Sequence, residues 1–276
     1  MEGKRKHYRG RKNKKRNMVT NLILGIAVSV FVFSAYKLIS IYSEYHKGDK
    51  EYDSIVEDSI EIQVSKPEEE GKDEQEQKPK VHESLKVDFD KLKKINKDVV
   101  GWIQFDEPER INYPVVRGDD NDKYLHTTFE GKENSSGTLF VDANNSGEFA
   151  DQNTFIHGHN MKNGSMFGQL RKYKTKDYYE QNPYFYIYTP DGKEVKYQIF
   201  AVSVVEDTSR SYTSFYNNDE EYLDYLNYLK SIAGYDTGVE LTADSKIVSL
   251  STCTNVSETQ RLLVHGVKIS ETVVGE

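Results

Sequence analysis

Lys246-Ile247-Val248-Ser249-Leu250-Ser251-Thr252-Cys253-Thr254, with Arg261 eight residues past the cysteine in Gln260-Arg261-Leu262-Leu263-Val264-His265, is the stretch on which the reading of this chain turns. Ile247 to Thr252 alternates β-branched, apolar and small residues, which predicts a strand at least half buried. It ends on the only cysteine among 276 residues. Gln260 to Ile269 predicts a second strand, with Arg261, Leu263 and His265 on one face and Leu262 and Val264 on the other. A short polar loop between the two would set Cys253 beside Arg261. A thiol next to a guanidinium suits acyl transfer, because a fixed positive charge favours the thiolate and stabilises a developing oxyanion. A solitary cysteine is ordinarily a small buried hydrophobe, so the assignment depends on the residues that accompany it.

The chain begins with a basic tail. Its first 17 residues carry nine Lys or Arg and no acid after Glu2, and no charge follows from Asn17 to Tyr36. Residues 18–41 are long and apolar enough to cross the roughly 30 Å hydrocarbon core as a helix, with Lys37 snorkelling. The basic flank predicts a cytoplasmic tail over 1–17 and everything beyond the span outside. Set against such a span, the basic arm reads as a topology signal rather than a nucleic-acid contact, and no nucleic-acid partner is expected. The long span and the lack of a small-x-small cleavage site predict an uncleaved anchor rather than a signal peptide.

Residues 42–84 are acidic and poor in aromatics, notably from Glu68 to Lys80, and predict a flexible tether, partly helical near the membrane. The net charge of -8 therefore carries little information about partners, since it sums a basic tail and an acidic tether. With one cysteine, an extracellular domain over residues 85–276 forms no internal disulfide and depends on its core.

Within that domain, Phe89, Leu92 and Ile95 predict a short amphipathic helix. Val99–Phe105, Ile111–Val116, Gly137–Asp142, Asn153–His157, Tyr184–Tyr188 and Val195–Val205 predict strands, with Pro190-Asp191-Gly192 as a turn. Asn218 and Glu221 resemble a capping box, and Tyr222, Leu226, Leu229 and Ile232 form one apolar stripe over Asn218–Ala233. The class is mostly β, a barrel or sandwich with a helix laid against it.

Asn153-Thr154-Phe155-Ile156-His157-Gly158-His159-Asn160-Met161 is the second stretch with chemical content. His-x-His at a strand end has the spacing of two metal ligands, but no third ligand stands nearby, and neither a metal nor a cofactor is expected. A histidine serving Cys253 as proton donor and acceptor is the sharper reading, since acyl transfer must protonate a leaving amine.

Ser249-Leu250-Ser251-Thr252-Cys253 resembles the Thr-Leu-x-Thr-Cys signature of sortases, and Gly158-His159-Asn160-Met161 resembles the histidine segment of their class B. Arg261 stands at the spacing of that family's arginine. Asp98-Val99-Val100-Gly101-Trp102, Tyr113-Pro114-Val115-Val116, Asp120–Leu125 and the helix after Asn218 add to the likeness, which covers roughly residues 85 to 270. Two positions depart from it: Ser249 replaces a threonine, and His157 stands where a tyrosine is expected. Two histidines thus compete for one role, and alignment on Gly-His-Asn favours His159.

The resemblance implies a sortase-like closed β-barrel with N-terminal helices, an added helix before the catalytic strand and one preceding transmembrane helix. It implies a membrane-anchored cysteine transpeptidase of Gram-positive bacteria. Cys253 would attack a C-terminal sorting motif of secreted proteins, His159 would protonate the leaving amine and deprotonate the incoming one, and Arg261 would hold the oxyanion. A peptidoglycan precursor or a pilin would supply the acceptor amine. Thr208, Ser209, Ser211 and Tyr212, with Ser251 and Thr254 beside the nucleophile, are the substrate-binding candidates. The competing readings are a surface cysteine protease that releases peptides to water and a tethered adhesin with an inert thiol.

Overall fold

The computed structural model describes residues 6–63 and 82–274. The chain divides into two units, Met1–Lys47 and Gly48–Glu276. One helix, α1 (Lys6–Ser59), begins in the first unit and ends in the second. Its stretch from Asn17 is the one helix among the described residues long and apolar enough to cross a membrane. Leu22, Leu24, Phe31 and Phe33 stand exposed along it.

The second unit is built on a closed barrel. Its strands are β3 (Val99–Gln104), β4 (Asn112–Val116), β5 (Leu139–Val141), β6 (Asn153–His157), β7 (Tyr184–Tyr188), β8 (Lys193–Glu206), β9 (Ile247–Cys253) and β10 (Gln260–Val273). They run around the barrel in the order β10-β8-β7-β3-β4-β5-β6-β9, and β9 closes it against β10. Two neighbouring pairs, β4/β5 and β6/β9, are parallel; the other pairs are antiparallel. Residues alternate between the two faces of each strand. On β9 and β10, Val248, Leu250, Leu262 and Val264 alternate with Ile247, Ser249, Leu263 and His265, and all eight are buried. β9 is buried on both faces, within the expectation of a strand at least half buried, because the outer face has a cover of its own.

Part of that cover is α4 (Asp219–Ser231), which packs Tyr222, Tyr225, Leu226 and Leu229 against Phe200, Ala201, Ile247 and Val267. Its start is built as the sequence predicts. The Asn218 side chain accepts from the Glu221 N–H at 2.9 Å, and Glu221 reaches back to the Asn217 N–H at 2.9 Å. The returning bond lands one residue earlier than in a standard capping box. Two further helices, α2 (Phe89–Ile95) and α3 (Lys176–Gln181), flank the barrel strands; α2 starts where the Asp88 side chain accepts from the Lys91 N–H.

The reading of 42–84 as a flexible tether needs correction over Gly48–Gln63. There α1 continues to Ser59, and β1 (Ile60–Gln63) pairs antiparallel with β2 (Ser84–Val87). Glu51, Tyr52, Ile55 and Ser59 are buried, a helical stripe that the acidic average of the segment conceals. Tyr52 donates to the Gly137 carbonyl at 2.5 Å and accepts from the Phe129 N–H, while Glu51 accepts from the Glu130 N–H at 3.0 Å. Of the tether, residues 64–81 lie outside the described ones.

Candidate active site

Strand register brings the reactive candidates together. Cys253 is the Cα partner of Arg261 across the β9/β10 ladder, and Ser251 is the partner of Leu263 on one side and His157 on the other. The β6/β9 register ends at His157–Ser251, two residues short of His159 on one strand and of Cys253 on the other. Within β9 and β10, Cys253 and Arg261 share a face as Cα partners; His159 follows the end of β6, the neighbour of β9 on its other side. Hydrogen bonds fix this alignment after β6 has ended. Gly158 N–H donates to the Ser251 carbonyl at 3.1 Å, Asn160 Nδ2 to the Cys253 carbonyl at 2.8 Å, and Asn255 Nδ2 to the Asn160 carbonyl at 2.8 Å.

Cys253, His159 and Arg261 line one open cleft of about 340 Å³, together with Asn121, Leu125, His157, Asp207, Tyr212 and Ser251. Cys253 is a free thiol of intermediate exposure. Arg261 is held by its surroundings: Nη1 donates to the Glu258 carbonyl at 2.6 Å and the Gln260 carbonyl at 3.2 Å, and Nη2 lies 3.4 Å from Asp207 Oδ2. Such a forked cation suits an oxyanion formed at the sulfur's acyl group.

His159 Nε2 lies 2.7 Å from the Leu125 carbonyl, which only accepts, so Nε2 carries the proton and Nδ1 is the nitrogen left to exchange one. Burial lowers the pKa of His159 from the ordinary histidine value; the Leu125 bond opposes that shift, and His126, stacked with ring centroids 6.1 Å apart, adds to it. His157 has a different partner. Its Nε2 lies 3.0 Å from Asp142 Oδ2, which also accepts from Asn121 Nδ2 at 2.9 Å. Burial works against ionisation of Asp142, but His157 and the Asn144 N–H outweigh it and hold its pKa at about 2.

The substrate-binding candidates separate. Tyr212 and Ser251 line the cleft and share a hydrogen bond of 2.8 Å, with Tyr212 stacked on Phe155 at 5.5 Å. Ser211 is fully buried, its carbonyl accepting from Tyr225 Oη, so its side chain is not a contact for substrate. Ser209 caps the 3₁₀ turn Arg210–Tyr212 and bonds Tyr228. Thr208 is exposed and Thr254 closes the β9–β10 turn; neither lines the cleft. Local sequence does not reveal the Leu125 carbonyl or Asp142 as partners, because their contacts come from loops far along the chain. Asn160 was within sight, next to His159. Among the described residues, no group of three or more His, Cys, Asp or Glu is placed to hold a metal ion.

The same chain segment carries a family match. A family model described as the sortase domain matches residues 106–269. The chain belongs to the sortases, in class B. Sortase B of Listeria monocytogenes is 30% identical over 246 residues, covering 87% of this chain and 93% of that one. A crystal structure of sortase B from Bacillus anthracis, in complex with AAEK1, is 30% identical and superposes with a TM-score of 0.67 over 83% of this chain and all of that one. A Staphylococcus aureus sortase B–substrate complex is 30% identical, with a TM-score of 0.62 over 68% of this chain and 86% of that one. The expected sortase-like closed barrel is the fold observed, and the sortase is a cysteine transpeptidase that joins a protein substrate to an amine acceptor.

Proposed function

We propose that Cys253 of this sortase attacks the carbonyl of a C-terminal sorting motif in secreted proteins and forms a thioester. His159 gives its proton to the leaving amine, and in its neutral form receives one from the amine that resolves the thioester. Arg261 steadies the oxyanion of each tetrahedral intermediate. Tyr212 and Ser251 form part of the substrate wall. The observation that supports this most strongly is the convergence of the chain's only cysteine with His159 and Arg261 on one open cleft.

The acceptor in this reading is an amine of a peptidoglycan precursor or of a pilin. The apolar stretch of α1 anchors the enzyme in the cell membrane, with the basic tail in the cytoplasm and the barrel outside. Tethering then raises the effective concentration of enzyme over substrates that share the membrane plane.

A peptide-library cleavage assay on a soluble fragment from Gly48 onward, with and without amines, tests the reading. Cleavage that requires Cys253 and yields amine-joined products supports it. Products released only to water, with every amine supplied, would assign a protease instead.

A further inference from the structure

In the proton balance of the reaction, deacylation releases one proton more than His159 takes up. In acylation, the thiolate attacks, the C–N bond breaks, and the leaving amine takes one proton from His159. In deacylation the acceptor arrives as an ammonium, R–NH3⁺, and must lose one proton before its lone pair can attack and another as the amide forms. The new C–N bond replaces the C–S bond, and the electron pair returns to sulfur as thiolate. One of those protons restores the His159 imidazolium. The other needs a separate acceptor.

His157 is placed to take it. It faces the same side of the sheet as Cys253, paired with Ser251 two residues before the nucleophile. Strand spacing and rise put the two Cα atoms about 8 Å apart. It lines the cleft, flanked by the rings of Phe140 at 5.2 Å and Phe155 at 6.3 Å. Asp142 is ionised and accepts only, so it fixes the neutral ring as the Nε2–H tautomer and leaves the lone pair on Nδ1. Asn121 Nδ2 and the Asn144 N–H, each at 2.9 Å, hold that carboxylate. A carboxylate that orients an imidazole and stabilises its cation is the arrangement a general base requires. Asp122, His159, Asp207, Tyr212, Cys253 and Arg261 are the other ionisable groups lining the cleft.

We propose that His157, oriented by Asp142, is a second catalytic base that removes the first proton from the incoming ammonium and passes it to solvent. This rests on the thioester reading above. The test is a product ratio from one acyl-enzyme, made with the peptide selected from the library. The two acceptors are triglycine, whose amine is mostly protonated at about pH 7, and hydroxylamine, a nucleophile that is neutral there. In His157→Gln the triglycine-to-hydroxylamine ratio falls at least tenfold at about pH 7. The deficit narrows toward about pH 9, where triglycine is already neutral. Asp142→Asn moves the ratio in the same direction by less.

An unchanged ratio in His157→Gln overturns the assignment, and so does a deficit that persists equally at about pH 9. Should His157→Gln fail to acylate, Asp142→Asn decides: a wild-type ratio there overturns it. Because both products leave the same thioester, losses in folding or acylation cancel. Cleavage by Cys253→Ala would instead overturn the thioester reading.

Discussion

Cys253 and Arg261 face each other directly across the antiparallel β9/β10 ladder, and the guanidinium is tied to its own turn by the Glu258 and Gln260 carbonyls. The arginine is thus held before any substrate arrives. An ammonium has neither the reach nor the planar fork to keep these bonds and face an oxyanion together. Arg261→Lys is expected to lower kcat/KM on the order of a hundredfold while the fold is retained. Steady-state kinetics beside thermal unfolding check this, and near-normal turnover would reduce Arg261 to a structural role.

Gly158 connects β6 to His159 where nothing larger fits. A Cβ there would lie 2.2 Å from Leu139 Cδ2 and 2.8 Å from Phe167 Cδ2. Gly158→Ala is expected to cost about 1–3 kcal/mol of stability through overpacking. It also shifts the histidine beside it, so activity falls by more than stability alone explains. Urea unfolding and kcat on the same preparation separate the two.

His159 is expected to titrate below the ordinary histidine range, because burial disfavours its cation and His126 repels it. Removing that neighbour in His126→Ala relieves only the repulsion, so the pKa rises but stays below the ordinary value. The imidazole C–H resonances followed by NMR against pH measure both. A fall in His126→Ala would have the wrong sign.

His82 joins the start of β2 to the barrel. Its Nδ1 lies 2.7 Å from Asp106 and its Nε2 3.4 Å from Glu194, and its ring stacks on Tyr186 at 3.4 Å. Burial opposes its charge, but the two carboxylates outweigh that and raise its pKa to about 9. A raised pKa stabilises fully below the unfolded value, about 6.5, and the contribution is lost as pH rises through the folded one. The Tm difference between wild type and His82→Leu is therefore expected to be widest near pH 6 and to shrink up to about pH 9. A gap that widens over that range would contradict the pairing.

The barrel was legible because its strands announce themselves locally. Val99–Gln104, Asn153–His157, Tyr184–Tyr188 and Ile247–Cys253 stand within a residue or two of where alternation placed them. The facing of Cys253 and Arg261 was equally readable, since a short loop between two strands leaves few registers. What escaped depends on distant partners. Tyr52 and Ile55 are hidden in a segment whose acidic average reads as tether, and only their landing place on the barrel makes them core. Ser209 and Ser211 belong to a polar loop whose true contacts, Tyr228 and Tyr225, lie on α4. Asp142 became a partner of His157 only once β5 and β6 were paired.

The most direct measurement is intact-mass spectrometry of the enzyme during turnover of the library-selected peptide. The account predicts a transient adduct with the mass of the acyl portion, mapped to Cys253, which an added amine discharges with formation of the joined product and which Cys253→Ala never shows. Turnover by Cys253→Ala, or an acyl adduct mapped to any other residue, would contradict it.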